Sequence, residues 1–193
     1  MSELITNKLT PGSGSSDTVT MGDSGDTFNF PSGVTVSGLS NAFTLGTPVA
    51  STSGTAIDFT SIPSGTKIIH ISYSGVSTNG TSRPIVQIGD AGGIETSGYL
   101  GTGWRASPRN YTDGFGLSDD WAGVVIVQGI TTLTLLDSST FTWASTSQLG
   151  RTDAHHLLGA GAKSLSAELD RVRITTQGGS DTFDAGKINL QYE

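Results

Sequence analysis

The alternation of apolar and polar residues in the segment Ala56–Arg83 constrains the fold more than any other feature of the chain. Apolar side chains recur at every second position in Ile57–Phe59 and again in Ile69–Tyr73. Side chains two positions apart lie on the same face of an extended strand, so this pattern predicts two half-buried β-strands. Turn-forming residues stand at 63–65 and at 79–80. The segment therefore predicts a unit that covers one side of a hydrophobic core.

The composition of the whole chain is typical of many short strands. Of 193 residues, 27 are glycine, only 14% are charged and 34% are hydrophobic. Such a balance favours strands joined by tight turns over a helical or a disordered protein. The length is sufficient for one domain of ordinary size with an additional element. Cysteine is absent, which excludes disulfides and thiolate metal sites.

Strand signals recur at regular intervals between residues 43 and 193. They predict an all-β domain over 43–193, an antiparallel β-sandwich of jelly-roll type. We expect the continuous apolar run Val124–Val127 to form a central strand that is covered on both faces. The predicted strands are Ala56–Thr60, Lys67–Val76, Pro84–Ile88, Tyr99–Thr102, Val124–Gln128, Thr132–Leu136, Phe141–Ser145, Leu169–Thr176 and Lys187–Tyr192.

Residues 1–42 are predicted to form a short N-terminal β arm that serves attachment or oligomerisation. Its apolar residues include Leu4 and Ile5, and Phe28 and Phe30 in a short alternating segment. Strands this short bury only two or three side chains each and cannot close a core of their own. We therefore expect the arm to pack against other chains or another protein. The alternative is a frayed leader.

The charge and hydropathy of the chain exclude several kinds of partner. Ten basic residues stand against 17 acidic ones, for a net charge of -7. This gives no attraction to a phosphate backbone, so we expect no nucleic-acid partner. No run approaches the ~20 apolar residues of a membrane span, and the N-terminus lacks the apolar core of a signal peptide. We expect synthesis in a cytoplasm, no membrane insertion, and an oligomer that compensates for a small core.

Three segments of the chain resemble a known class of protein. They are Gly25–Gly38, Ala56–Arg83 and Leu169–Glu193. Together they are similar to small tail-fibre-type virion proteins of tailed bacteriophages, particularly of marine and cyanobacterial phages. The resemblance implies a homotrimer on the virion, made in the host cytoplasm, whose N-terminal arm docks on other virion proteins while the sandwich faces the host. Related sandwich modules also decorate capsids, so a decoration or cement protein is the alternative.

A function of another class would be a carbohydrate-binding module or a polysaccharide-degrading tail enzyme. Such enzymes usually have longer, often β-helical chains and need paired carboxylates in a groove. Asp119 and Asp120 are adjacent and point different ways on most backbones, so we expect them to cap a turn or face solvent. We therefore predict a protein that is not an enzyme and that needs no cofactor.

The segment Gly101–Trp121 departs most from strand patterning and is the candidate recognition surface. Aromatic rings stack on sugars or flat surfaces, while Asn, Asp and Arg side chains bond to hydroxyls. The segment could instead be an ordered loop whose tryptophans plug the end of the sandwich, or a contact between subunits. The candidate residues for binding a host glycan or protein are Trp104, Arg105, Arg109, Asn110, Tyr111, Asp113 and Trp121.

Two other groups of residues raise the question of metal binding. The carboxylates of Asp23 with Asp26, and of Asp90 with Glu95, suggest calcium, but neither pair has the ligand register of a known calcium loop. His155 and His156 lack nearby Cys or Glu partners, so we place them at a polar strand edge or an interface. We predict no metal site.

Overall fold

The computed structural model describes residues 43–193, and this part of the chain consists of strands and turns without a helix. The all-β prediction is thereby confirmed. No helix in these residues could span a membrane. The predicted arm, with Leu4, Ile5, Phe28 and Phe30, lies outside the described residues. The strands are β1 (Thr44–Leu45), β2 (Val49–Ala50), β3 (Ala56–Phe59), β4 (Ile68–Thr78), β5 (Pro84–Asp90), β6 (Gly93–Ile94), β7 (Leu100–Trp104), β8 (Arg109–Tyr111), β9 (Phe115–Gly116), β10 (Val127–Asp137), β11 (Thr142–Arg151), β12 (His156–Ser164), β13 (Leu169–Thr176) and β14 (Phe183–Tyr192).

The strands form two antiparallel sheets that pack face to face as a β-sandwich. The larger sheet has the order β1-β14-β4-β10-β11-β12-β7-β8, and β2 also pairs with β14. The smaller sheet has the order β3-β13-β5-β6, and β9 also pairs with β5. The strands β10, β11 and β12 follow one another as a simple meander, which does not identify a jelly roll. Jelly-roll connectivity therefore stays a prediction.

The core lies between the sheets and follows the period-two pattern of the sequence. On β4 the inward side chains Ile69, Ile71 and Tyr73 are buried, and β13 buries Val172 and Ile174 from the opposite sheet. Burial of each such side chain contributes about 1.5–3 kcal/mol to the free energy of unfolding. The strand β5 is buried at every position. The smaller sheet is thus anchored along its centre.

Two of the segments that carry the sequence resemblance pair with each other in both sheets. Ala56–Arg83 contains β3 and β4, and Leu169–Glu193 contains β13 and β14. The strand β3 pairs with β13 in the smaller sheet, and β4 pairs with β14 in the larger one. These four strands contribute one antiparallel pair to each sheet and form a framework. The strands from the middle of the chain extend both sheets from these pairs.

The expectation that Val124–Val127 forms a doubly covered central strand is wrong. Val124 is 90% exposed and Ile126 is also exposed, whereas Val125 and Val127 are buried. The Val125 N–H donates to the carbonyl oxygen of Ala122 in a turn (3.0 Å), and β10 begins only at Val127. Within residues 43–193 the larger sheet is covered on one face alone, so a continuous apolar run at its end turns every second side chain to solvent.

Candidate functional site

The segment Gly101–Trp121 folds as parts of both sheets rather than as one protruding loop. Its first residues lie in β7 and β8, the last two strands at one edge of the larger sheet. The chain then turns under that sheet, where β9 pairs with β5 of the smaller sheet. The segment therefore closes the sandwich at this edge.

Four glycines on β7 and β12 allow the returning chain to lie directly on the inner face of the larger sheet. The glycines that face each other are Gly101 with Gly161, and Gly103 with Gly159. A Cβ on Gly101 would lie 2.8 Å from the carbonyl oxygen of Gly114, and a Cβ on Gly103 would lie 3.0 Å from backbone atoms of Ser118. Side chains here would push residues 114–118 off the sheet. The signal in the sequence is the repeated Gly-X-Gly pattern.

Tyr111 and Trp121 are anchors of this edge and do not belong to an accessible binding surface. Their side chains are only 1% and 3% exposed. The Tyr111 hydroxyl donates to the carbonyl oxygen of Ser118, and the Trp121 Nε1–H donates to Thr78 Oγ1 at 2.8 Å. Burial raises the pKa of Tyr111 to about 12. These two rings match the structural alternative considered for the segment, and we remove them from the binding candidates.

Trp104, Arg109 and Asn110 are the candidate residues that solvent can reach. Trp104 is 44% exposed at the end of β7, and both Arg109 and Asn110 are exposed on β8. Asn110 lies opposite Thr102, so it faces outward from the larger sheet, as Trp104 does. Arg109 lies opposite the inward-facing Gly103, so its side chain leaves the same edge from the other face. The exposed rim of the sheet therefore has Trp104 and Asn110 on its outer face and Arg109 turned to the opposite side.

The other candidates are engaged in contacts within the chain. The Arg105 guanidinium forms an ion pair with Asp120, with Nη2 and Oδ2 2.6 Å apart. Asp113 is half-buried, and its backbone carbonyl accepts a hydrogen bond from Gln87 Nε2 at 2.7 Å. The Arg105 side chain and the Asp113 backbone therefore help to hold the segment in place.

Asp119 caps the turn that precedes β8, in agreement with the sequence-based expectation. Its carboxylate accepts hydrogen bonds from the backbone N–H groups of Ala106 and Ser107. Partial burial raises the pKa of Asp119, but the N–H groups of Ser107 and Ala106 outweigh that effect and hold the pKa below its ordinary value. The carboxylate therefore stabilises a turn and is not poised as a proton donor.

Most of the outer face of the larger sheet lacks ionic side chains. The outward residues of β4, β10, β11, β12 and β7 are uncharged except Asp137, which lies opposite Thr142 at the end of β10, and Lys187 of β14 lies beside Ser74 at the other border. We call the uncharged surface between them the neutral face. Roughly a quarter to a third of the positions on an ordinary protein surface are charged. The residues of the neutral face are Ile68, His70, Ser72 and Ser74 on β4, Gln128, Ile130, Thr132, Thr134 and Leu136 on β10, Thr142, Ala144, Thr146, Gln148 and Gly150 on β11, His156, Leu158, Ala160, Ala162 and Ser164 on β12, and Leu100, Thr102 and Trp104 on β7.

The outer face of the smaller sheet has the opposite character. Arg173 pairs with Asp58 across β13 and β3, with Nε and Oδ1 2.7 Å apart. Arg171 pairs with Asp170 at 2.6 Å. Charges on the described sandwich are therefore distributed unevenly between its two faces.

Asp90 and Glu95, which raised the question of calcium, are bound by side chains of the chain itself. Ser166 Oγ lies 2.6 Å from Asp90 Oδ2 and 2.9 Å from Glu95 Oε1. The buried Lys163 ammonium lies 2.5 Å from Glu95 Oε2. The hydrogen bond from Ser166 is the main reason why the pKa of Asp90 lies below its ordinary value. Residues 43–193 contain no group of three or more His, Asp or Glu side chains that could hold a metal ion.

The two adjacent histidines lie at the turn between β11 and β12. His155 and His156 are both exposed, and His155 Nδ1 lies 3.2 Å from Asp153 Oδ1. Asp153 in turn binds the guanidinium of Arg151 at 2.7 Å. The two histidines therefore lie at a polar turn between two inner strands and not at a strand edge, while the alternative of an interface stays a prediction.

A pocket of about 260 Å³ lies beside the β10–β11 turn, and its walls include Leu135, Phe141 and Trp143. The one carboxylate in its lining is Glu168, which accepts hydrogen bonds from the N–H of Gly65 and from Ser64 Oγ. Glycoside hydrolysis by an acid and a base or nucleophile needs two carboxyl groups about 5–9.5 Å apart. This pocket does not provide that pair.

Comparison with known proteins adds no relative. The chain matches no known family model, no curated protein and no solved structure.

Proposed function

We propose that this protein is a non-enzymatic structural component of a tailed-bacteriophage virion, of the tail-fibre type. In this proposal it is a homotrimer that docks on other virion proteins through residues 1–42 and presents the sandwich to a glycan or protein of the host surface. The proposal starts from the sequence resemblance of Gly25–Gly38, Ala56–Arg83 and Leu169–Glu193 to such proteins.

The position of the resembling segments in the fold supports the proposal. The two that lie in the described residues form the paired framework β3–β13 and β4–β14. The resemblance therefore concerns the scaffold. The exposed rim residues and most of the neutral face come from the middle of the chain, where a binding surface can vary on a constant scaffold.

The observation that carries the proposal is the exposed rim formed by Trp104, Arg109 and Asn110. Aromatic, Arg and Asn side chains on an open sheet edge suit contact with a large partner, whereas small substrates are usually enclosed in a cleft. Arg109 and Asn110 lie on β8, the outermost strand at this edge of the larger sheet, so an approaching surface meets them first.

The neutral face favours one second candidate, a capsid decoration protein. Such a protein clamps its neighbours, and a clamp uses a broad surface from which charges are depleted. The neutral face has this character over five strands. The two candidates place the protein on different parts of the particle.

The test combines localisation with adsorption. Antibody labelling of purified particles should mark the tail if the protein is a fibre, and the capsid if it is a decoration protein. Phage with Arg109→Ala and Asn110→Ala should adsorb about tenfold more slowly, since two polar contacts of about 0.5–1.5 kcal/mol each would be lost. The matched control is Lys187→Ala, which removes an exposed charge from β14. Absence of the protein from particles would refute the virion assignment, and unchanged adsorption would refute the role of the rim.

A further inference from the structure

We propose that the neutral face packs against a second copy of this chain. The inference concerns a contact between two copies, because a face that packs on the same face of another copy forms a dimer and does not by itself build the homotrimer of the proposed function. It does not depend on a place in the virion, because it rests on the charge, shape and area of the larger sheet.

The charge of the chain favours contact through the neutral face. Because the net charge is -7, two copies repel each other on average, and this repulsion is weakest where both surfaces lack charges. Ionic side chains that are removed from water without partners weaken an interface strongly. The neutral face offers no such side chain, since Asp137 and Lys187 lie at its margins, while the outer face of the smaller sheet carries Asp58, Arg171 and Arg173. Two copies that meet through the neutral face therefore bury no acidic group from it.

The shape of the neutral face suits contact with an identical face. The centre of the neutral face is made of small side chains, because Ala144 lies opposite Ala162 and Thr146 lies opposite Ala160. Larger apolar side chains surround this centre, among them Leu100, which is 77% exposed. A flat centre with apolar side chains around it can receive the same surface of another copy, as face-to-face sheets do at a spacing of about 10 Å.

The area of the neutral face is close to that of a stable interface. The strands β4, β10, β11 and β12 have 9 to 11 residues and β7 has 5. With about 3.3 Å per residue and 4.8 Å between strands, the face covers roughly 700 Å². Each partner in a stable protein–protein interface buries about 800 Å². A second copy would therefore cover an area of the right size.

The full-length chain tests this with two variants. Ala160→Glu places a carboxylate at the centre of the neutral face, where the side chain is exposed in a single copy. Light scattering should give the wild type a mass that is a multiple of 19.9 kDa, and the variant should associate at least about 100-fold more weakly because it buries an unpaired charge. The control Thr60→Glu adds the same charge beside β3 in the smaller sheet and should keep the wild-type mass. Circular dichroism identifies variants that fail to fold.

A single thiol provides a second readout, because the chain contains no cysteine. Thr146→Cys should react with a maleimide about tenfold more slowly than Thr60→Cys when the protein is associated, since the interface excludes the reagent. Adding Ala160→Glu should remove this protection. A monomeric wild type, an Ala160→Glu chain of unchanged mass, or equal labelling of the two thiols would overturn the proposal. Protection of Thr146→Cys in a monomer would also overturn it, since another segment or protein would then cover the face.

Discussion

Gly103 lies directly opposite Gly159 on neighbouring strands, and neither residue has room for a side chain. The space beside them is filled by backbone atoms of Gly116 and Ser118. Backbone-to-sheet contact of this kind holds the rim of Trp104, Arg109 and Asn110 in position, because the segment that follows the rim is fixed beneath it.

Substitution of Gly159 by Ala should therefore lower the free energy of unfolding by more than about 2 kcal/mol, since the added Cβ would collide with the carbonyl oxygen of Gly116. Gly150→Ala is the matched control in the same sheet. The Cβ of that variant would have its nearest neighbour at 3.7 Å, so it should change stability by less than about 0.5 kcal/mol. Urea unfolding of both variants checks this. Equal losses would show that the glycine contact is unimportant.

The run Val124–Val127 provides a second contrast between neighbouring residues. Val127→Ala should destabilise the protein by about 1–3 kcal/mol because it leaves a cavity in the core. Val124→Ala should stay within about 0.5 kcal/mol of the wild type, since Val124 is exposed. Thermal unfolding measured side by side distinguishes them. A large loss for Val124→Ala would mean that a partner or another part of the chain covers this position.

Strands whose two faces differ in hydrophobicity could be predicted from the sequence. Strands whose two faces are similar could not. The prediction Leu169–Thr176 coincides with β13, where buried Val172 and Ile174 alternate with Arg171 and Arg173. The sequence pattern predicts no strand over His156–Ser164, which is β12. Its inner face carries glycines and its outer face carries alanines, so the hydrophobic alternation that reveals a strand is missing.

The candidate site could be predicted only in part for a related reason. The composition of the segment makes both Trp104 and Trp121 binding candidates, yet Trp104 is exposed and Trp121 is buried. The difference follows from the direction of the strand: Trp104 points away from the face on which Gly101 and Gly103 lie, and no strand pattern surrounds Trp121. The neutral face was not anticipated, because its residues come together only through the pairing of five strands.

The hydrogen bonds of Ser166 make the free energy of unfolding depend on pH in the acidic range. Ser166→Ala should cost about 1–2 kcal/mol at pH 7, where its hydroxyl bonds to the carboxylates of Asp90 and Glu95. The pKa of Asp90 is lowered in the folded state, so its contribution is present above the ordinary carboxyl pKa and is lost as pH falls through the folded value. The difference between variant and wild type should therefore shrink below about pH 4.

Urea unfolding at pH 7 and pH 3 measures this change. The exposed Ser97→Ala is the nearby control, and it should show no pH-dependent loss. A difference for Ser166→Ala that persists at pH 3 would assign its effect to packing instead of to the carboxylates.

Three buried tyrosines should limit stability at alkaline pH. Burial raises the pKa of Tyr73, Tyr99 and Tyr111 above the ordinary value, in the case of Tyr111 to about 12. A raised folded pKa stabilises the protein below the unfolded value of 10.0, and this contribution is lost as pH rises through the folded value. Stability should decline between about pH 10 and pH 12.

Tyrosinate absorbance at 295 nm monitors this ionisation directly. In the folded protein these three side chains should ionise only at higher pH than in urea-unfolded protein. Tyr111→Phe should remove part of the decline. Coincident titration curves for the folded and the unfolded protein would contradict the burial argument.

The strands β13 and β14 give the chain a particular order of folding during synthesis. Each is an inner strand, β13 between β3 and β5 and β14 between β1 and β4. Asp58 and Arg173, which pair across β3 and β13, are 115 positions apart. At ribosomal rates of about 5–20 residues per second, β3 waits on the order of 10 s for its partner. Until then the nascent chain exposes open strand edges, and neighbouring nascent chains on one messenger can pair with them. Neither sheet can therefore be completed before β13 and β14 have left the ribosome.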